Sequence, residues 1–159
     1  GSSLTLSASG SFYNTDNLAC VLIGTDRILV AYGARRSSVP AIDHIKLSLL
    51  DVSGSSPVLI TSLKHTAPLI PMGPVIVSMD RLDSNSAIIT YGGGATGEYS
   101  SARVRVSEDN EIFIDNENNN LGKFGTQYVD CAALDANNII LAVRGANTYL
   151  DTRLLEVSS

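Results

Sequence analysis

A threefold internal repeat limits what this chain can fold into. Three short segments align on one leucine each, Leu22, Leu82 and Leu134, and the intervals between these leucines are 60 and 52 residues. A polar turn and then an apolar run follow each leucine. The turns are Gly24–Asp26, Asp83–Asn85 and Asp135–Asn137, and the runs are 27–32, 87–91 and 139–143. Repeats of this length are typical of propellers, solenoids and related arrays.

Length and composition indicate one ordered globular domain covering residues 1–159. The chain is 44% apolar and 17% charged, and its mean hydropathy is +0.15, which argues against disorder. The net charge of −5 and the scattering of only 11 Lys and Arg argue against nucleic-acid binding, since phosphates require clustered cations. No apolar stretch approaches the ~18 residues needed to cross a bilayer, so we expect no membrane insertion.

Helical periodicity is nearly absent, and short β-branched runs bounded by Gly, Asn, Asp, Ser and Pro predict an all-β chain with four strands in each repeat. The three repeats, or blades, cover about 18–63, 76–115 and 129–157. The predicted strands are 18–23, 27–33, 44–52 and 57–63; 76–82, 86–92, 99–107 and 111–115; and 129–134, 138–144 and 150–157.

The third repeat lacks its fourth strand, and an orphan apolar segment at 4–7 precedes the first repeat. A terminal strand that completes a distant blade is how a propeller closes and protects its sheet edges. Propellers have about 4–8 blades, so three cannot close alone. We therefore expect two chains to form a six-bladed homodimer in which each N-terminal strand completes the other chain's last blade. A single-chain β-trefoil, which also has three four-stranded repeats, is the alternative.

The segments 82–91 and 134–143, together with the turn Val52-Ser53-Gly54, resemble repeat units of bacterial and bacteriophage-associated β-propellers. The resemblance covers most of the chain, and its motifs are structural. It implies surface recognition or a tail-fibre-like scaffold. Repeat one departs from the pattern: when the repeats are aligned on the leucines, its first turn carries one residue more, and the loop after its second strand is long.

Candidate binding residues cluster in the loops that follow the second strand of each repeat, because such loops crowd one rim of a propeller. Tyrosines would provide the stacking surface for a sugar, since the chain has no Trp. Tyr32 and Tyr91, at equivalent strand ends, are expected to be packing residues. The predicted ligand-binding residues are Arg35, Arg36, Tyr99, Arg144, Asn147 and Tyr149.

Patterns that would indicate catalysis or metal binding are weak. His44 and His65 lack an obvious ligand set, so we expect solvent-facing histidines before a metal pair. The oxygen-rich segment Asp115–Asn120 suits Ca²⁺ in its atoms but not in its spacing, and a solvated loop is expected. Gly92–Gly94 is expected to be a flexible turn. Cys20 and Cys131, at non-equivalent repeat positions, are expected to be buried free thiols, with a disulfide as the alternative.

These observations predict a protein that is not an enzyme and holds no cofactor and no metal. Recognition of a glycan or another surface ligand by lectin-like loops is the first hypothesis, because repeated weak sites gain avidity. The alternative is a purely structural part of a phage-tail-like or cell-surface assembly, or an engineered propeller fragment. Either role favours an extracellular or virion-associated location.

Overall fold

The computed structural model of the chain describes residues 15–34, 44–65, 75–93, 98–118, 121, 129–144 and 150–157. These residues form eleven strands in three antiparallel sheets, and they contain no helix. Sheet 1 consists of β1 (Thr15–Ile23), β2 (Arg27–Ala34), β3 (His44–Asp51) and β4 (Val58–His65). Sheet 2 consists of β5 (Val75–Arg81), β6 (Ser86–Gly93), β7 (Glu98–Val106) and β8 (Ile112–Asn118). Sheet 3 consists of β9 (Val129–Ala133), β10 (Asn138–Arg144) and β11 (Leu150–Glu156).

The all-β prediction is confirmed, and the eleven strands predicted within 18–157 are present with ends displaced by three residues or fewer. Each strand pairs with its neighbour in sequence, so every sheet is a simple meander. The predicted strand at 4–7 lies outside the described residues. Period-two alternation explains the agreement: in β3, for example, Ile45, Leu47 and Leu49 are buried on one face of sheet 1.

Equivalent turn hydrogen bonds show how the three repeats superimpose. The carbonyl oxygen of the third turn residue accepts a bond from the backbone N–H that follows the third strand. The three bonds are Val52 N to Asp26 O at 2.7 Å, Val106 N to Asn85 O at 2.8 Å and Val157 N to Asn137 O at 2.8 Å. All three turns therefore contain three residues and close in the same way.

This register corrects the alignment predicted from the leucines. Ile23 pairs with Arg27 across its turn, and the backbone N–H of Leu82 and of Leu134 bonds the residue just after its own turn, Ser86 or Asn138. Ile23, and not Leu22, is therefore the equivalent of Leu82 and Leu134. Repeat one therefore has no extra turn residue. The apparent insertion results from aligning Leu22, instead of its apolar neighbour Ile23, with Leu82 and Leu134.

The three sheets lie in series, with sheet 2 in the middle. Two apolar clusters fill the spaces on either side of sheet 2. The first contains Leu29, Leu47 and Leu49 of sheet 1 against Ile89 and Val104 of sheet 2. The second joins the opposite face of sheet 2 to sheet 3, and its members include Leu82, Ile88, Tyr99, Cys131, Ile139, Leu141 and Val143.

The first strands of the three sheets are also neighbours, since β1 lies beside β5 and β5 lies beside β9. Each repeat thus keeps its own sheet and packs face to face on the next. The trefoil alternative, which gathers its repeats around one core, is not the arrangement of the described strands, because these have two separate cores in series.

Candidate functional site

The six predicted ligand-binding residues are not brought together by the described part of the chain. Arg35, Arg36, Asn147 and Tyr149 lie outside it. Arg144 is the last residue of β10, where it pairs with Leu150 of β11. Tyr99 is described fully, and its assignment to an exposed loop is wrong: it lies in β7, its exposed fraction is 0%, and it belongs to the cluster between sheets 2 and 3.

Gly92 explains why Tyr99 is buried. The two residues face each other across β6 and β7, and the tyrosine ring lies directly over the glycine. A Cβ on Gly92 would stand 2.3 Å from the Glu98 carbonyl oxygen and 2.8 Å from Tyr99 Cδ1. Gly92 is therefore required by close packing within a strand, and the expectation that it belongs to a flexible turn is wrong.

A hydrogen-bonded cluster joins the ends of β4, β6 and β8 between sheets 1 and 2. Tyr91 donates its hydroxyl hydrogen to Glu117, and His65 Nε2 lies 3.0 Å from the same Glu117 oxygen, Oε1. The ring of His65 stands edge-on to the Tyr91 ring, with centroids 5.9 Å apart. Burial, reinforced by Glu117, raises the pKa of Tyr91 far above its usual value, so this hydroxyl is a donor and not a base. The cluster links the two sheets.

This cluster corrects the expectation that His65 faces solvent, and it bears on the alternative of a metal pair with His44. His65 is half-buried and bonded to Glu117, so it does not face solvent. It also cannot pair with His44 on a metal, because His65 lies opposite Ile45 while His44 is the next residue along β3 and occupies the other face of sheet 1. Sequence patterns missed this site because its three members are 26 residues or more apart in the chain.

The segment predicted as a solvated loop is a strand up to Asn118. Two of its carboxylates already have different partners: Asp115 accepts from Arg105 Nε at 3.0 Å, and Glu117 accepts from Tyr91. Asn119 and Asn120 lie outside the described residues. Among the described residues, no group of three or more His, Cys, Asp or Glu side chains is placed to hold a metal ion.

An acidic groove of about 430 Å³ lies where the turns of sheets 1 and 2 meet. Asp26, Asp51 and Glu108 line it, and Arg27 crosses it to donate to the Asn110 side-chain oxygen at 2.8 Å. The backbone N–H of Ser53 bonds Asp51 and lowers the pKa of that carboxyl. The arginine contact ties the two turns together, and the groove is open to solvent.

The most unusual surface is the outer face of sheet 1, which we term the sheet 1 end face. Its apolar residues on β1 and β2 include Leu18, Cys20, Leu22, Ile28 and Val30, which lie opposite one another. Tyr32 and Ser48 lie on the same face and are buried. Leu18 is 63% exposed and Leu22 43% exposed. Adjacent exposed apolar side chains are uncommon on a monomer, and a patch of them is typical of surfaces that contact a protein, a membrane or a ligand.

The outer face of sheet 3 has the same character, and we term it the sheet 3 end face. It comprises Ala132, Leu134, Ile140, Ala142, Leu150 and Leu154. Leu150 is 71% exposed, and Leu134 and Leu154 are each 59% exposed. The two end faces lie at opposite ends of the series of sheets. The described part of the chain therefore exposes apolar side chains at each end.

The cysteines belong to the same pattern. Both are free, as predicted, but Cys20 is exposed on the sheet 1 end face while Cys131 is buried between sheets 2 and 3. Burial raises the pKa of the Cys131 thiol. The register also corrects the prediction that the cysteines are not equivalent: Cys20 pairs with Val30, Met79 with Ile89 and Cys131 with Leu141, so these three occupy one position in the three repeats.

No protein-family model, curated protein or solved structure matches this chain. The resemblance to propeller repeats thus has no support from these comparisons. The part of the chain that the structure describes has no helix long and apolar enough to span a membrane.

Proposed function

We propose that this chain is a non-catalytic structural module that assembles with protein partners through its two end faces. The observation that carries the proposal is the pair of exposed apolar faces on sheets 1 and 3, at opposite ends of one series of sheets. Fully burying a leucine side chain contributes about 1.5–3 kcal/mol. The sheet 1 end face carries two exposed leucines, and the sheet 3 end face carries three. Covering either face would therefore stabilise a complex substantially.

The serial packing of the sheets supports a propeller-like arrangement within such an assembly. Successive meanders of four, four and three strands pack face to face, and their first strands, β1, β5 and β9, lie side by side, as the inner strands of propeller blades do. In that geometry every sheet requires a neighbour on both faces. Among the described strands, sheet 2 has two neighbouring sheets, whereas sheets 1 and 3 have one each.

Recognition of a glycan or another surface ligand by the loops after β2, β6 and β10 stays a prediction. Tyr99, the one predicted ligand-binding residue whose side chain is described, is buried and offers no stacking surface. The structural role is therefore the better supported of the two hypotheses. A place on a virion or a cell surface is consistent with it.

The experiment compares self-association of the wild-type protein with that of variants carrying one charge. Leu154→Asp places a carboxylate on the sheet 3 end face. Val58→Asp is the matched control, because Val58 is 62% exposed but lies opposite Asp51 on the other side of sheet 1 from the end face. Sedimentation velocity over a range of concentrations should show association that Leu154→Asp weakens and Val58→Asp does not. Identical monomeric behaviour of all three proteins would refute the proposal.

A further inference from the structure

We infer that the partner of each end face is the opposite end face of a second copy of this chain. The inference rests on the proposed function and names the partner. Its basis is that most residues of the two end faces are the repeat equivalents of residues that pack together inside the molecule. Leu22 and Leu154 differ, because their equivalents in sheet 2 are Arg81 and Arg103. The chain already contains this interface twice, between sheets 1 and 2 and between sheets 2 and 3.

The sheet 3 end face is equivalent to the faces that sheets 1 and 2 turn toward the next sheet. Ile23, Leu82 and Leu134 are one set of equivalents; the first two are 0% and 8% exposed, and the third is 59% exposed. Three further sets behave in the same way: two buried members are followed by a more exposed one in sheet 3. These are Leu29, Ile88 and Ile140; Ala31, Thr90 and Ala142; and Ile45, Tyr99 and Leu150.

The sheet 1 end face is equivalent to the faces that sheets 2 and 3 turn toward the preceding sheet. Leu18 lies opposite Tyr32, Val77 opposite Tyr91 and Val129 opposite Val143, so these three first-strand residues are equivalent. Val77 and Val129 are buried at 7% and 8% exposure, whereas Leu18 is 63% exposed. Again the exposed member is the one whose sheet has no neighbour on that side.

Among the described residues neither end face has a neighbouring sheet, and the repeat equivalence makes the two faces complementary to each other. A sheet 3 end face would pack on a sheet 1 end face as sheet 2 packs on sheet 3. This is a head-to-tail contact, which closes into a ring or continues as a filament. Two copies bring six sheets, within the range of about 4–8 blades in which propellers close, so we assign the closed pair.

One contact between sheets 2 and 3 predicts which residues of two copies would meet. Ser78 of β5 accepts the backbone N–H of Cys131 at 3.1 Å, and the Cys131 sulfur lies 3.5 Å from the same hydroxyl oxygen. In the next interface Asp130 is the equivalent of Ser78, and Cys20 is the equivalent of Cys131. Asp130 of one copy should therefore lie against Cys20 of the other. Within its own chain, Asp130 Oδ1 accepts from Ser78 Oγ at 2.7 Å and from the Cys131 backbone N–H at 3.0 Å.

The test uses full-length chains with one Asp on either end face: Leu18→Asp, Leu154→Asp and the control Val58→Asp. The wild type and the control should sediment as a particle of about twice 16.8 kDa. Each end-face variant should dissociate at concentrations about 100-fold higher than the wild type, because one change alters both interfaces of a closed pair. Circular dichroism checks that the variants remain folded.

Mixing the two end-face variants identifies the pairing. A mixed pair keeps one unaltered interface, so the mixture should form a heterodimer at concentrations where neither variant alone associates. Dissociation by only one of the two substitutions would indicate like-to-like contacts and overturn the inference, although end-face association itself would stand. Particles larger than two copies would indicate an open filament, and the inferred closed pair would then be overturned. Absence of any association in the wild type would refute the proposed function together with the inference.

Discussion

Two neighbouring isoleucines on β10 distinguish packing inside the chain from packing between chains. Ile139 is 0% exposed in the cluster between sheets 2 and 3, and Ile140 is 40% exposed on the sheet 3 end face. Ile139→Ala leaves a cavity that no partner can fill, so it should cost about 3 kcal/mol at every protein concentration. In a chain of this length that loss lowers the Tm by roughly 6–12 °C.

Ile140→Ala should act differently because part of its side chain becomes buried only on assembly. In the separate chain, removing three partly buried carbons costs about 1 kcal/mol. Loss of burial in the two interfaces of a pair costs a further ~2 kcal/mol per pair, which raises the dissociation constant of the pair by roughly 30-fold. The loss of interface burial appears only at protein concentrations at which the wild type is assembled.

The assay is thermal unfolding of the wild type and both variants at low and at high protein concentration. The wild-type Tm should rise with concentration, because association stabilises the folded chain by mass action. Ile139→Ala should lower both values equally, and Ile140→Ala should reduce the difference between them. The proposed assembly through the end faces is refuted if the wild-type Tm does not depend on protein concentration. It is also refuted if Ile139→Ala and Ile140→Ala change that dependence by the same amount.

Three further predictions concern single side chains. Gly92→Ala should destabilise the fold by about 3 kcal/mol in urea denaturation, since its Cβ would collide with backbone across the strand pair; a loss below ~1 kcal/mol would contradict the close approach. Tyr91→Phe, which removes the donor to Glu117, should cost about 1–2 kcal/mol, and an unchanged urea midpoint would show that the cluster does not link the sheets. Asp83→Asn should cost about 1 kcal/mol near neutral pH, after discounting for solvent screening of this half-exposed group. Burial acts to raise the pKa of Asp83, but bonds from Ser86 and Asn85 and the charge of Arg103 outweigh it, so the folded pKa is lowered. The stability contributed by Asp83 is then present above its usual pKa of 3.8 and lost as the pH falls through the folded value, so wild type and variant should converge in acid; a constant difference would contradict this.

Strand positions were predictable because each strand is short, alternates in polarity and is bounded by turn residues. The turns were also predictable, because Asp begins two of them. Asp83 and Asp135 accept from the backbone N–H two residues later, at 2.7 Å and 2.8 Å, which stabilises each turn. The register was not predictable from Leu22, because Leu22 and Ile23 are both apolar and only the hydrogen bonds distinguish them. A shift of one residue exchanges the two faces of a strand.

The site was less accessible to sequence reasoning than the fold. Tyr99 looked like a loop residue because three glycines precede it nearby, whereas Gly92 in fact provides the space that its ring fills. The bonds among His65, Tyr91 and Glu117 join three separate strands, and no local spacing encodes them. The end faces follow from the repeat only once the register is known, because a one-residue error assigns Cys20 and Leu22 to the wrong sides.

In the inferred pair, the contact between Ser78 and Cys131 recurs between copies as Asp130 against Cys20. Asp130→Cys should then form a disulfide with Cys20 of a second copy under mild oxidation, giving a covalent species of about twice 16.8 kDa. The same substitution combined with Cys20→Ser should give none, and Ser78→Cys should bridge to Cys131 without a change in mass. A covalent pair that requires Cys20 is the predicted result. If Asp130→Cys gives only monomer while Ser78→Cys forms its internal disulfide, the predicted contact between copies is contradicted.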